Sequence, residues 1–168
     1  MAERGALADS VQHDMVRLIR ANRWAALATV GADGPFASMV AYAAFTDLSR
    51  LVLHLSRLAP HTRNLLAEPR AALVISELDD GRDDPQTLAR ITLMGAVATV
   101  DKAEVDYQSY RSLYMARLPE SSRLFEFADF TLFRFVPEEV RYVGGFGKAG
   151  NYSAAKLSAI AGREPGNE

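Results

Sequence analysis

A glycine-rich stretch, GGFGKAG at residues 144–150, is the part of the sequence that most resembles a nucleotide-binding loop. Residues 145–150 match the GxGxxG pattern of dinucleotide-binding turns, but that pattern requires a second strand, and none is predicted in the residues that follow. A P-loop requires glycine where Tyr142 stands and a hydroxyl where Ala149 stands. The glycines therefore form either a flexible exit from a strand or a loop that lies against a planar ligand beside Phe146.

Candidate metal ligands and nucleophiles are few. The chain has no cysteine, which excludes thiolate chemistry and cysteine-zinc sites, and its only histidines are His13, His54 and His61. His54 lies inside an apolar run and is expected to be a hydrogen-bonded core residue. The four aspartates within residues 79–84 lack the spacing of a calcium loop and indicate a solvated turn. We predict no metal site, and the residue types identify no catalytic acid or base.

Composition indicates one globular domain. The chain has 168 residues, 49% of them hydrophobic, and a formal net charge of −2, so its overall charge does not favour nucleic acid or an anionic membrane. There is no apolar run of about 20 residues, the length of a membrane-spanning helix, and no basic region followed by an apolar stretch at the N-terminus. These features predict a cytoplasmic protein that binds neither nucleic acid nor membrane.

The hydrophobic pattern predicts sequential short strands with three inserted helices. Helices are expected at residues 7–23, 58–69 and 102–118, and strands at 24–30, 36–42, 51–56, 71–78, 89–100, 130–136 and 140–144. Gly95 suggests a bulge in the fifth strand. Strands joined mostly by tight turns favour an antiparallel barrel over a doubly wound parallel sheet. We predict one domain over residues 1–150, with the N-terminal helix, and a tail over 151–168 that is weakly helical or disordered.

Separated stretches of the chain, read together, resemble one family. The stretches are TVGADGPFASMVAY at 29–42, LHLSRLAPHTRNL at 53–65, ARITLMG at 89–95 and RYVGGFGKA at 141–149. In this order and spacing they are similar to the FMN-binding split-barrel family related to pyridoxamine 5′-phosphate oxidase. The nearest branch resembles the haem-utilisation and cellular-repressor-type barrels. The resemblance implies an α+β fold, mainly β, with an antiparallel six- or seven-stranded split barrel that forms homodimers with FMN sites at the interface.

The resemblance also implies which residues hold the cofactor. The family binds the FMN phosphate at the junction of the third strand and the next helix, where a hydroxyl, cations and a helix N-terminus suit a dianion. The strand at 38–40 would lie along the flavin ring, Arg90 would reach the ring or the phosphate, and the glycine loop would close over the flavin of the partner subunit. Arg90 could instead only cap a strand end. The implied residues are Ser38, Met39, Val40, Ser56, Arg57, His61, Asn64, Arg90, Gly145, Phe146 and Gly147.

Three functions remain open at this stage. The first is an FMN-dependent oxidoreductase with a small-molecule redox substrate; pyridoxamine 5′-phosphate itself is not expected, because residues 151–165 lack the basic segment that grips it in the family. The second is a protein that binds or uses haem on the same dimeric barrel. Haem degradation is not expected, because relatives that open haem use a histidine in a C-terminal extension, and the last histidine here is His61. The third is a barrel without a cofactor that serves as an interaction module.

Overall fold

The computed structural model describes residues 2–145 and 148–163 of the chain. Its helices are α1 (Ala2–Ala21), α2 (Pro60–Ala67), α3 (Tyr107–Arg117) and α4 (Ala154–Ala161). Its strands are β1 (Trp24–Gly31), β2 (Gly34–Ala44), β3 (Leu51–Ser56), β4 (Arg70–Ser76), β5 (Arg90–Val100), β6 (Phe130–Val143) and β7 (Ala149–Ser153). Short 3₁₀ helices cover Pro85–Thr87 and Pro119–Glu126.

The strands form an antiparallel barrel, as the sequence predicts. Their order is β3-β2-β1-β4-β5-β6-β7, and β3 also pairs with β6, which closes six strands into a barrel and leaves β7 as an extension. The predicted α+β split barrel is thereby confirmed. We call the end that holds the last residue of β3 the upper end, and the end that holds the first residue of β5 the lower end.

The main core fills the barrel and continues under two helices. Alternate residues of each strand point inward, because side chains of a strand alternate between its two faces. Leu27, Leu73 and Leu93 lie inside on neighbouring strands and are fully buried. Ile19 of α1 and Leu157 of α4 belong to the same buried cluster, so these two helices pack onto the barrel core.

A second, smaller core lies outside the barrel. Helix α3 packs Tyr110 and Tyr114 against β2, β3 and β6. His54 of β3 is 6% exposed there, and its ring stacks on Phe125 with centroids 3.9 Å apart. The predicted burial of His54 is confirmed, but its Nδ1 has no hydrogen-bond partner within the part of the chain that the structure describes. Aromatic contacts hold this ring instead of the predicted hydrogen bond.

The predicted break between the last two strands is wrong, because β6 runs without interruption from Phe130 to Val143. The reason is the bulge that Gly95 suggests. The register of β5 and β6 shifts between Met94 and Gly95, so that Glu138 is an extra residue on β6. Pro137 has no N–H to donate, and this is tolerated because the edge of β6 that faces away from β5 has no partner at that residue. On that edge β3 pairs with β6 only up to Phe135, and β7 pairs with it only from Glu139.

The chain after the glycine loop is more regular than the sequence pattern indicates. No strand is predicted there, whereas residues 149–153 pair with residues 139–143 as β7. Tyr152 is the only large apolar residue of β7, and it packs against the main core. A single apolar residue does not give the alternating pattern that predicts a strand. In α4, Leu157 and Ile160 are buried. No helix of the described residues is long and apolar enough to cross a membrane.

Candidate cofactor site

Helix α2 closes the upper end of the barrel and carries two of the predicted residues. It follows β3 directly and packs against β1 and β2, with Leu65 in the main core. The Nδ1 atom of His61 lies 2.9 Å from the hydroxyl of Ser38 on β2. Burial lowers the pKa of His61 below its ordinary value. The imidazole is therefore neutral at pH 7. The hydrogen bond between Nδ1 and Ser38 holds the ring in one orientation and leaves Nε2 without a bond to Ser38.

Asn64 attaches the same helix to β1. Its Nδ2 donates a hydrogen bond of 3.1 Å to the hydroxyl of Thr29, which is buried. The approach is close because Gly31 has no side chain: a Cβ there would lie 2.6 Å from Oδ1 of Asn64. Thr29 was not predicted as a site residue, and only the packing of α2 on β1 reveals it. The amide of Asn64 thus has a structural partner, and its part in binding a cofactor remains a prediction.

The turn after β3 is held by a residue that sequence reasoning missed. The hydroxyl of Ser56 donates to Oδ2 of Asp129 at 2.6 Å and accepts a bond of 3.1 Å from the backbone N–H of Leu58. The N–H of Arg57 donates to the backbone carbonyl of Asp129 at 2.7 Å. Asp129 precedes β6 and lies 73 residues from Ser56 in sequence. Only the pairing of β3 with β6 brings the two together, and no local motif signals it.

Positive charge at the upper end comes from Arg57 and from the start of α2. The Arg57 side chain is exposed and has no ion pair or hydrogen bond to the residues described. Ala59, the residue that precedes α2, has no side-chain oxygen to cap the helix. Pro60 has no N–H, and the N–H groups of Thr62 and Arg63 donate to the carbonyl of Ala59. Among the described residues, the N–H of His61 and the Arg57 guanidinium are the donors left for an anion at this turn.

The predicted flavin-side strand, residues 38–40 of β2, presents its side chains in two directions. Val40 is buried in the core, whereas Met39 is 48% exposed on the outer face of the barrel. Strand β2 pairs with β3 only at residues 42–44. Residues 38–40 therefore lie along an edge of β2 that has no partner strand among the described residues. The backbone of this edge can hydrogen-bond a planar ligand, such as the flavin ring that the family resemblance places along residues 38–40.

The remaining predicted residues lie at the lower end. The Arg90 guanidinium donates from one nitrogen to the carbonyls of Gln86 at 2.9 Å and Leu88 at 3.2 Å. Gly145 has a φ of 97°, which favours glycine, and a Cβ there would lie 3.3 Å from the carbonyl oxygen of Thr87. The loop from 85 to 90 and the glycine loop thus meet. Phe146 and Gly147 lie outside the described residues.

Within one chain the predicted residues form two groups at opposite ends of the barrel. Ser56 pairs with Phe130, the first residue of β6, and Arg90 pairs with Val143, the last. The upper group contains Ser38, Ser56, Arg57, His61 and Asn64, and the lower group contains Arg90 and Gly145. A single subunit does not bring the two groups together.

An apolar surface on the outside of the barrel lies between these groups. We call it the outer face, and it is formed by the outward residues of β1, β2, β4 and β5. Its central residues are apolar except for Thr92; they are Trp24, Ala26, Ala28, Val30, Ala37, Met39, Ala41, Ala72, Val74, Thr92 and Met94. Arg70, Ser76 and Arg90 point to the same side at the ends of β4 and β5. Trp24 and Val30 are each 54% exposed. A largely apolar exposed surface of this kind indicates an interaction site.

Comparison with known proteins gives consistent matches. The family described as CREG, beta-barrel matches residues 15–156. The chloroplastic non-canonical haem oxygenase HOZ of Arabidopsis thaliana is 38% identical over 136 residues, which cover 76% of this chain and 40% of that protein. A haem-binding protein from Mycobacterium smegmatis has a structure that superposes with a TM-score of 0.79 at 25% identity, covering 89% of this chain and 60% of that one.

A fourth match is to the fold of a protein from the oxidase family. A protein of the pyridoxinephosphate oxidase family from Clostridium acetobutylicum, related to general stress protein 26 of B. subtilis, superposes with a TM-score of 0.68 at 16% identity. The match covers 89% of this chain and 98% of that one, and it concerns the fold alone. The chain spans less than two thirds of the length of the Arabidopsis and Mycobacterium proteins.

Proposed function

The chain belongs to the CREG beta-barrel family, and from this premise we propose that it binds haem between two copies of its barrel. The observation that carries the proposal is the outer face, an exposed apolar surface with one group of polar and cationic residues beyond each end. Two copies that pair through this face in opposite directions bring the upper end of one beside the lower end of the other. Each homodimer then has two equivalent cofactor clefts, as its two-fold symmetry requires.

The residues present fit a haem. Its porphyrin is a broad apolar disc, and the outer face offers Trp24 and Met39 as exposed apolar contacts. Its two propionates are anions on flexible arms, and Arg57 at the upper end has no competing partner among the described residues. Arg90 at the lower end is already held by two carbonyls and would meet the cofactor with its remaining N–H groups.

His61, the histidine that lies among the predicted cofactor residues, would hold the haem iron. Its pKa is lowered by burial, so the imidazole is in the neutral form that binds metals. A hydrogen bond from its Nδ1 to Ser38, 2.9 Å away, would leave Nε2 as the ligand atom. Haem held there would supply the redox and oxygen chemistry of iron. The Arabidopsis and Mycobacterium relatives, a haem oxygenase and a haem-binding protein by name, support this choice.

FMN, the cofactor favoured by the sequence analysis, is the second candidate. The start of α2 and the exposed Arg57 suit a phosphate. The free edge of β2 suits a flavin ring. A flavin would make the protein an oxidoreductase that acts on a small redox substrate. Haem is preferred because the polar groups of Ser56 and Asn64, two members of the predicted phosphate set, are engaged by Asp129 and Thr29.

Absorption spectroscopy of the purified protein tests the proposal. We expect added haem to give a shifted Soret band that saturates at one haem per subunit, on a protein that sedimentation velocity identifies as a dimer. His61→Ala should move or abolish that band, and His13→Ala, on α1, should leave it unchanged. Quenching of FMN fluorescence measures the second candidate in parallel. A monomer, or a protein whose addition changes neither spectrum, would contradict the proposal.

A further inference from the structure

Asp129 occupies a position beside the turn that would receive the anionic end of a cofactor. Its carboxylate and its backbone carbonyl contact that turn separately, through Ser56 at 2.6 Å and through the N–H of Arg57 at 2.7 Å. The next residue, Phe130, pairs with Ser56 across β3 and β6. Asp129 is the last residue of the turn before β6, so the pairing of its neighbour with β3 fixes the position of its backbone beside Ser56.

This contact removes Ser56 from the donors available to a ligand. A serine hydroxyl has one proton to donate, and here it points to the Asp129 carboxylate. One lone pair of the same oxygen accepts from the N–H of Leu58. A phosphate at the turn would have to break the short bond to a charged acceptor before it could use this hydroxyl, and bonds of that kind are the stronger ones in proteins.

The Asp129 carboxylate also changes the charge of the turn. The start of α2 and Arg57 attract anions, but the carboxylate lies one hydroxyl away from the N–H of Leu58 and repels them. A phosphate dianion concentrates two charges on one group and needs several donors at once. A haem propionate carries one charge on a flexible arm and can reach Arg57 from outside the turn. The two kinds of anion are therefore affected unequally.

We infer that Asp129 is a specificity-determining residue that closes this turn to phosphate and so selects haem over FMN. The inference rests on the proposed function, in which the upper end of the barrel receives the anionic part of the cofactor. It can be tested separately from that function, because the effect of Asp129 on phosphate binding at this turn can be measured whether or not haem binds.

The test compares Asp129→Asn with the wild-type protein. Asparagine keeps the size and an oxygen that accepts from Ser56, the backbone bond from Arg57 is unaffected, and only the charge is lost. We expect FMN to bind about tenfold more tightly to the variant by fluorescence quenching, the size of effect expected of a hydrogen bond to a charged group. The dissociation constant for haem, from the Soret band, should change by less than about twofold.

Matched variants separate this effect from general damage. Glu126→Gln removes an exposed carboxylate three residues away and should behave as the wild type. Ser56→Ala leaves the carboxylate in place without its donor and should not strengthen FMN binding. Asp129→Ser is the second charge-free variant if Asp129→Asn does not fold, as judged by circular dichroism. A purely structural role of Asp129 predicts weaker binding of both cofactors, never a gain.

Inorganic phosphate provides a readout that does not depend on either cofactor. It should raise the melting temperature of Asp129→Asn by more than that of the wild type at equal ionic strength. If neither charge-free variant gains affinity for FMN or responds to phosphate, the inference about Asp129 is overturned. If the wild type binds neither haem nor FMN, the proposed function is overturned, and the phosphate measurement still decides the role of Asp129.

Discussion

At the scale of single residues, His54 is a buried titratable group whose Nδ1 has no hydrogen-bond partner among the described residues. Its ring is enclosed by Phe125, Tyr114 and Phe130, and the guanidinium of Arg111 lies over the Phe125 ring, with its carbon 5.1 Å from the ring centroid. Burial lowers the pKa of His54 from 6.5 to about 4. An imidazole in this pocket behaves as an aromatic packing residue at neutral pH, and protonation opposes the packing.

The first prediction concerns the pH dependence of stability. Because the pKa of His54 is lower in the folded state than in the unfolded chain, the unfolded chain binds the proton more tightly. The neutral His54 ring makes its full contribution to the free energy of unfolding above pH 6.5. As the pH falls towards 4, protonation of the unfolded chain lowers that free energy by about 3 kcal/mol. His54→Phe should remove this part of the loss. Urea unfolding at pH 7 and pH 4.5 measures the free energies.

The control for this prediction is His13→Phe on α1, which lies outside the aromatic cluster and should keep the acid sensitivity of the wild type. His61 contributes in the same direction, since burial lowers its pKa too, so His54→Phe is expected to reduce the acid loss and not to abolish it. Equal slopes of stability against pH in wild type and His54→Phe would show that the ring is not desolvated as the structure describes.

The side-chain partners of the predicted site residues could not be predicted, because they come from segments that are distant in sequence. The types and spacing of Ser56, Arg57, His61 and Asn64 identify a polar turn before a helix, and the structure has that turn. The partners that occupy this turn, Asp129 and Thr29, are distant in sequence and have no motif of their own. The contact of these residues with a cofactor remains a prediction.

At the scale of elements, the bulge between β5 and β6 is the feature most sensitive to a small change. A Cβ on Gly95 would lie 2.0 Å from the carbonyl oxygen of Val136, an atom of the backbone that cannot move aside. We therefore predict that Gly95→Ala lowers the free energy of unfolding by about 1 to 3 kcal/mol, the usual cost of overpacking. Urea unfolding measures it, and Ala98→Ser, an exposed change on the same strand, is the control.

The result of Gly95→Ala also tests the register itself. If the variant is as stable as the wild type, Gly95 does not face Val136 and the shift of register at Met94 is misplaced. Glycine was recognised from its position inside an apolar strand, but its consequence for β6 was not. The sequence predicts a break at residues 137–139, between strands at 130–136 and 140–144, because the opposite strand, which absorbs the irregularity, cannot be seen from the local pattern.

The junction of α1 and α3 is a second element-scale feature. One nitrogen of the Arg117 guanidinium donates to the carbonyls of Arg20 at 2.8 Å, Asn22 at 3.1 Å and Ala21 at 3.3 Å. These carbonyls end α1, where a cation is favourable. We predict that Arg117→Met lowers the free energy of unfolding by about 1 kcal/mol, since the side chain is exposed.

Hydrogen exchange measures where that effect appears. The amides of the last turn of α1 should exchange faster in Arg117→Met, while those of β1 and β4 in the barrel should change only with global stability. Arg123→Met, an exposed arginine on the 3₁₀ helix Pro119–Glu126, is the matched control. Uniformly faster exchange through the whole chain would mean that Arg117 does not act locally on α1.

At the scale of the whole molecule, the barrel was predictable because its six strands are short apolar or alternating segments separated by turns, whereas β7, outside the barrel, lacks that pattern. The closure of the barrel followed from the family resemblance and is confirmed by the pairing of β3 with β6. The outer face was not predicted: its alanines read as ordinary small strand residues, and they become a surface only when β1, β2, β4 and β5 lie side by side. The separation of the predicted site into two ends is a consequence of the same topology.

The last prediction therefore tests the outer face directly. Met39→Glu places a charge in the middle of an apolar surface that, in the proposed dimer, is removed from water, where an unpaired charge is strongly unfavourable. We expect the variant to sediment as a monomer and to lose saturable haem binding, with its circular dichroism unchanged because Met39 is 48% exposed in the single chain. Val105→Glu, a fully exposed position before α3, is the matched control and should remain a haem-binding dimer. Loss of the dimer with haem binding retained would place the cofactor within one subunit, and retention of both would mean that two barrels do not meet through this face.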